Sequence, residues 1–331
     1  MNTMTTKSRL ASWLIQYNTL LMLIILIVVS ASLSDVFLSP QNLWNLARQL
    51  VPLALVSIGM LLVILTGGID LSVGALAAIG AMIMSMLLPY LPDGGAIGLF
   101  VGVLIAMVGG AALGAVTGSL VAAFSMAPFI ASLAMMTVAR GIAFMMSNGQ
   151  PVRFPSGSVT GDLLRSFGSS ALPGIGMPWP VLLAFAVIST FVVIMSQTKF
   201  GRLVTATGSN EVAVRLAGLA VGRYKLMVYV IAGALAALAG IVATSRTAVG
   251  TANTGIGLEL DAIAACVIGG ALLSGGKGSV INTIVGVLIL GLIGNIMNLL
   301  SVPAYPQQII KGVIIVFAVL LQNINGELKR T

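Results

Sequence analysis

The stretch Thr66-Gly67-Gly68-Ile69-Asp70-Leu71-Ser72-Val73-Gly74 sets a carboxylate and a hydroxyl among glycines, between two long apolar runs and with almost no loop to house them. Glycines beside an acid at membrane depth are the composition of a broken helix, whose freed backbone groups must be satisfied by protein or by a water-filled cavity. Asp70, with Ser72 beside it, is therefore a candidate for lining or gating a pathway. Asp70 is equally a candidate cap for a helix beginning at Leu71, accepting backbone N–H groups, and the two roles are compatible. Arg140 stands well inside another apolar run. A charge there is costly and seldom faces lipid, so it faces the pathway, pairs with an acid such as Asp70, Glu259 or Asp261, or snorkels to the surface. Asn295 and Asn298 offer amides that could line a polar path or bridge two helices. A neutral polar solute is met by such hydrogen-bonding groups rather than by charge.

The largest polar stretch runs from Thr198 to Lys225. Within it, Gly208-Ser209-Asn210-Glu211-Val212-Ala213-Val214-Arg215-Leu216-Ala217-Gly218 carries the signals of a short helix. Ser209 or Asn210 is a good N-cap, Glu211 suits the first turn and Gly218 suits the residue after the last turn. It reads as a surface helix or as a docking helix for a cytosolic partner. Several chemistries are missing. The chain has no His and a single Cys, which removes the usual proton shuttle and any metal cluster built on those ligands. Cys266 reads as a buried small residue. The run Leu273-Ser274-Gly275-Gly276-Lys277-Gly278 only superficially resembles a phosphate-binding loop, because Ala271 stands at the first Gly position and Gly278 follows the lysine. No catalytic constellation and no metal site are expected. ATP, if used, binds another chain.

The elements that carry these residues follow from composition. Hydrophobic residues make up 58% of the 331 and charged residues only 7%, against about 25% charged in soluble domains. With about 20 apolar residues needed per crossing, the charge-free intervals predict about ten transmembrane helices, at 12–34, 50–67, 70–90, 95–123, 128–147, 179–197, 226–244, 259–275, 280–300 and 306–323. The first is read as an uncleaved anchor rather than a signal peptide, because its apolar stretch is long and further spans follow. The eighth is the weakest, since Glu259 and Asp261 open it. Under this count Lys7, Arg9, Lys199, Arg202, Arg215, Arg223, Lys225, Lys277, Lys329 and Arg330 share one face. The other holds Arg48, Arg153, Arg165 and Arg246 against Asp35, Asp93 and Asp162. The positive face is cytoplasmic by the positive-inside rule, so both termini are cytoplasmic, and the net charge of +8 speaks for orientation rather than for nucleic acid. Gly110, Gly114 and Gly118 fall on one helical face and read as a close-packing seam.

An internal echo crosses the chain. Gly68-Ile69-Asp70-Leu71 before span three matches Gly257-Leu258-Glu259-Leu260 before span eight, and Ser125-Met126-Ala127-Pro128 before span five matches Ser301-Val302-Pro303 before span ten. A third pair is Arg140-Gly141-Ile142 with Lys311-Gly312-Val313. A five-span unit is odd, so its second copy enters from the other side. The expectation is a single all-α polytopic membrane domain over 1–331, built of two inverted five-helix halves, about 12–147 and 179–323, with the polar segment 198–225 between spans six and seven.

Four ordered motifs, at 67–74, 208–218, 258–265 (Leu-Glu-Leu-Asp-Ala-Ile-Ala-Ala) and 269–278, resemble the ribose-type monosaccharide permeases of bacterial ABC importers, with similarity from about residue 20 to 322. The resemblance implies the membrane-spanning permease subunit of an importer for a monosaccharide (pentose or hexose) or similar small polyol, in a bacterial inner membrane. It implies a second permease copy or paralogue, two ATP-binding subunits or one tandem chain holding ATP and magnesium, and a periplasmic sugar-binding protein. It also implies that Gly208, Ser209, Asn210, Glu211, Ala213, Arg215 and Gly218 form the coupling segment, although Ser209 stands where family members often carry Gly. The alternative is an ion-coupled secondary transporter of a small polar solute. Against proton coupling stand the missing His and the placement of the acids at predicted span ends.

Overall fold

The structure, a computed structural model, describes residues 18–92 and 95–327. Lys7, Arg9, Asp93, Lys329, Arg330 and the first residues of the predicted span 12–34 lie outside the described residues. The chain forms α1 (Asn18–Leu33), α2 (Pro40–Leu65), α3 (Val73–Leu87, continued by a 3₁₀ turn Leu88–Tyr90), α4 (Ala96–Ala122), α5 (Pro128–Met146), α6 (Val159–Ser169), α7 (Trp179–Gln197), α8 (Lys199–Ser209), α9 (Glu211–Leu216), α10 (Val221–Thr247), α11 (Leu258–Ile268), α12 (Val280–Leu299) and α13 (Ala304–Glu327). Among the described residues seven helices are long and apolar enough to cross a membrane: α2, α3 with its 3₁₀ turn, α4, α5, α7, α10 and α12. The only ladder among them is a two-residue antiparallel pair, Val152 with Gly250 and Arg153 with Val249, which clips the connection after α5 to the one after α10.

Two boundaries differ from the sequence reading for physical reasons. α2 begins at Pro40 rather than near residue 50. The Ser39 hydroxyl accepts from the Asn42 N–H at 3.3 Å and Pro40 opens the helix, so capping chemistry starts it well before its charge-free run. The eighth predicted span, 259–275, is helical only over Leu258–Ile268. At 1.5 Å per residue that helix is ~16 Å long, about half the hydrocarbon thickness. Gly270, Gly275 and Gly276, all at positive φ, turn the chain away from it.

α10 is the hub. A side chain on Gly110 would meet the Gly233 carbonyl at 2.4 Å, one on Gly114 the Tyr229 carbonyl at 2.3 Å, and one on Gly233 the Gly110 carbonyl at 2.3 Å. The α4 stripe is thus a seam against α10, as its spacing predicted. Gly240 against the Ala77 carbonyl and Gly80 against the Ala237 carbonyl make a second seam, with α3. In lipid, where no water is expelled by helix association, such backbone approach is what dispersion and Cα–H contacts require. α2 and α3 form the most deeply buried layer, with Leu55, Ile58, Met60, Leu61, Leu76 and Met82 fully enclosed. α4, α5 and α13 leave Phe100, Phe129, Ile142, Ile309 and Val313 exposed, the dress of helices that face lipid or another chain.

Candidate functional site

The broken-helix expectation at 66–74 is met. α2 stops at Leu65 and α3 starts only at Val73, leaving Thr66–Ser72 non-helical. Asp70 and Ser72 are both fully buried. One Asp70 oxygen accepts from the Ser72 N–H at 2.9 Å and from the Ser72 hydroxyl at 2.5 Å. The carboxylate therefore closes a local turn ahead of α3 instead of capping a helix that begins at Leu71, and its second oxygen is buried without a partner among the described residues. The Ile69 carbonyl receives the Ser132 hydroxyl at 3.1 Å, which ties the break to α5.

The opposite break is residues 251–257, ahead of α11. It runs back along α3, so that the place where a Gly74 side chain would stand lies 2.4 Å from the Gly255 carbonyl and 2.1 Å from the Glu259 carboxylate. The first turns of the two short helices α3 and α11 thus lie against each other inside the bundle. Arg140 serves this second break: its guanidinium donates to the Ala252 carbonyl and, at 2.9 Å, to the Thr254 carbonyl. It holds freed backbone rather than forming an ion pair with Asp70, Glu259 or Asp261. Asp261 instead pairs with Lys311 of α13 at 2.9 Å, a contact between elements that spacing alone did not connect.

The two amides proposed for a pathway are engaged between helices. Asn295 exchanges hydrogen bonds with Asn42 of α2, at 2.9 and 3.0 Å, and Asn298 accepts from Gln307 at 2.8 Å. Cys266 is buried, with its thiol 3.5 Å from the Ser57 carbonyl.

The polar segment folds as its signals predict. Asn210, not Ser209, is the N-cap of α9: its side chain accepts from the Ala213 N–H at 2.9 Å. Gly218, at φ +77, supplies the left-handed residue after the last turn. Glu211 bridges Arg215 within the helix and Lys225 at the start of α10, each at 2.7 Å. The Lys225 ammonium bonded to it, and then Arg215, hold its carboxyl below the usual carboxylate range. Val214 faces inward, while Val212 is 67% and Leu216 84% exposed. Gly208 lets α8 press on the end of α2, where the Gly276 N–H donates to the Leu65 carbonyl at 3.0 Å. Ser209 adds hydrogen bonds to the Thr205 carbonyl at 3.0 Å and the Gly276 carbonyl at 3.4 Å.

Among the described residues no group of His, Cys, Asp and Glu could hold a metal ion. Sequence reasoning missed Tyr229, Asn42 and Ser274. Tyr229 is 1% exposed, and its hydroxyl has no partner among the described residues; a lone phenol within the apolar run of α10 was its available signal.

The family model described as branched-chain amino acid transport system / permease component matches residues 42–319. The ribose import permease protein of Escherichia coli strain K12 is 41% identical over 313 residues, covering 94% of this chain and 95% of that protein. The ribose import permease protein of Bacillus subtilis strain 168 is 40% identical over 307 residues, 91% and 90% of the two chains. An L-arabinose ABC transporter permease protein of Azospirillum brasilense is 34% identical over 309 residues, 93% and 87%. No solved structure matches. With most of its length matched by the family model and by relatives of nearly equal span, the chain belongs to the permease family described as branched-chain amino acid transport system / permease component.

Proposed function

We propose that the chain is the permease subunit of an ATP-binding-cassette importer for a monosaccharide, pentose or hexose, or a similar small polyol. The observation that carries the reading is α9. It is a six-residue helix capped at both ends and clamped by Glu211 to Arg215 and Lys225, and it presents Val212 and Leu216 outward. A surface helix needs no such apolar tip, whereas a helix that is pushed and pulled by a partner needs both the tip and the rigid mounting. The names of the ribose and arabinose relatives support the substrate class.

In this reading Gly208, Ser209, Asn210, Glu211, Ala213, Arg215 and Gly218 form the coupling segment. It docks on two ATP-binding subunits, or one tandem chain, which hold ATP and magnesium, and this chain hydrolyses nothing. A second permease copy or paralogue completes the membrane part, and a periplasmic binding protein delivers sugar to the outer face. The chain crosses a bacterial inner membrane ten times, in two inverted halves at about 12–147 and 179–323, with both termini in the cytoplasm. Span three is α3 with its 3₁₀ turn and span eight is the shorter α11 completed by the segments beside it, each preceded by an irregular approach. The placement of these two breaks, one ahead of each short helix, supports the inversion, because discontinuous helices at equivalent points of two repeats are how transporters build a pathway. Asp70, Ser72 and Arg140 then shape the pathway by fixing the breaks, while Asn295 and Asn298 set the spacing of the helices around it.

The test is the complex of this chain with its ATP-binding subunit in lipid nanodiscs, assayed with sugar-loaded binding proteins. Stimulation of ATP hydrolysis by one loaded binding protein, lost in Glu211→Lys and Arg215→Glu, is the expected result. A chain that purifies without an ATPase and moves solute alone under an ion gradient would instead be a secondary transporter.

A further inference from the structure

A cavity of about 310 Å³ opens where the first break meets the coupling segment, lined by Thr66, Gly68, Ser209, Lys225, Tyr229 and Ser274, among others. Ligand pockets begin at about this size. A larger cavity, about 390 Å³, lies between α4, α7 and α10, but Met107, Phe191 and Ile231 make it a hydrocarbon cleft, and the Thr190 hydroxyl in its wall is spent on the Ala186 carbonyl at 2.8 Å.

The lining of the polar cavity has a definite chemistry. The Thr66 hydroxyl spends its proton on the Val63 carbonyl at 2.8 Å. Thr207 spends its own on Leu203 at 2.7 Å and Ser209 on Thr205 at 3.0 Å. Each is left with lone pairs and no proton, an acceptor for an incoming O–H. Donors come from the other wall: Lys225, which commits one proton to Glu211, and the Tyr229 hydroxyl. That hydroxyl is buried without a partner among the described residues. It stands 2.8 Å from where a side chain on Gly68 would begin, and so points at the wall that lacks one. The only acid that lines the cavity, Glu211, is neutralised by its two cations. Acceptors on one wall and donors on the other, with the one lining carboxylate already paired, suit a molecule whose every hydroxyl both gives and takes a proton.

We propose that this cavity is an inner-face binding site for the transported monosaccharide, in which sugar bridges the 66–68 break and the coupling segment. The site rests on the importer reading given above. Its walls belong to the two parts that must move relative to each other during transport, so sugar on the cytoplasmic side holds them in one arrangement and slows the cycle. Internal sugar is then a direct inhibitor of its own import, without a separate regulatory domain.

The experiment uses the permease–ATPase complex in nanodiscs with no binding protein, titrated with radiolabelled D-ribose, and in parallel the ribose-stimulated ATPase rate with binding protein present. The expected result is saturable ribose binding to the complex, about fivefold weaker in Tyr229→Phe, the size of one lost hydrogen bond. Ser274→Ala weakens it in the same direction. In proteoliposomes, ribose trapped on the ATPase side lowers uptake, and Tyr229→Phe relieves that inhibition. Glycine, added as a charged control without hydroxyls, leaves the rate unchanged. If loaded binding protein stimulates the ATPase while the complex binds no ribose of its own, or binds it equally in wild type and Tyr229→Phe, the cavity is not a sugar site and the importer reading survives. If no loaded binding protein stimulates the ATPase, the importer reading itself falls.

Discussion

Replacing Gly208 by alanine tests whether the coupling segment transmits force through its contact with the broken helix. The new methyl carbon would sit 1.9 Å from the Leu65 carbonyl oxygen and 2.6 Å from the Gly276 nitrogen. A carbon and a carbonyl oxygen settle at about 3.3 Å, so the end of α8 must withdraw by more than ~1 Å. Every atom in the way is backbone, so no rotamer change can absorb it. The withdrawal pries at the hydrogen bond from Gly276 to Leu65, at 3.0 Å, a loss of about 1 kcal/mol in stability. The larger effect is on coupling. Misplacement of a working part by ~1 Å costs up to 10²-fold in reactions that depend on position, so we expect sugar moved per ATP to fall at least ~10-fold while the ATPase still co-purifies. Gly222→Ala is the matched control: its nearest neighbour, the Ala122 carbonyl, is at 3.5 Å, an ordinary contact. The assay is radiolabelled ribose uptake against phosphate release in proteoliposomes, with melting temperature in detergent as the measure of fold. Coupling and melting in Gly208→Ala indistinguishable from those of Gly222→Ala would refute the transmission argument.

The Glu211 clamp predicts a pH dependence. Its folded carboxyl is held below its usual range, chiefly by the Lys225 hydrogen bond. A depressed carboxylate contributes stability that is present above its unfolded pKa and is lost as pH falls through the folded one. Docking of the ATPase should therefore be flat from neutral pH down to about 5 and weaken only in stronger acid, and Glu211→Gln should remove that acid limb; co-purification yield against pH reads this out. For the Asn42–Asn295 pair, a double-mutant cycle with alanine should give a coupling of about 0.6 kcal/mol, the average for hydrogen bonds between membrane helices. Thermal unfolding of the four proteins measures it, and a coupling indistinguishable from zero would mean that the pair is incidental to the spacing of α2 and α12.

Much was legible in the sequence because the bilayer imposes simple rules. Apolar runs without charge located the long helices, and a stripe of glycines at fourfold spacing marked the α4 face that packs on α10. Local capping chemistry was equally plain: Asn210, Glu211 and Gly218 each sit where their own backbone preferences place them, because caps are decided within a few residues. The start of α2 was misplaced for the same reason in reverse, since hydropathy follows the apolar run whereas Ser39 and Pro40 decide where the helix begins.

Only the tertiary structure decided which distant groups meet. Arg140 could have chosen any of three acids by distance along the chain, yet it serves carbonyls freed at 252 and 254. A non-helical segment within the bundle has backbone to satisfy, and a guanidinium has donors to spare. Asp261 took Lys311, and Asn295 took Asn42, because helix packing brought them together. The polar cavity was invisible in sequence, since its walls come from the 66–68 break, α8, α10 and the turn after α11, segments far apart in the chain. The sequence by itself determined what must lie in the membrane and where each local cap would form, since those depend on neighbours in the chain and on the solvent. Pairings across the bundle depend on how close two backbones can approach, and that was settled by the glycines of α3, α4 and α10 only once the helices had packed.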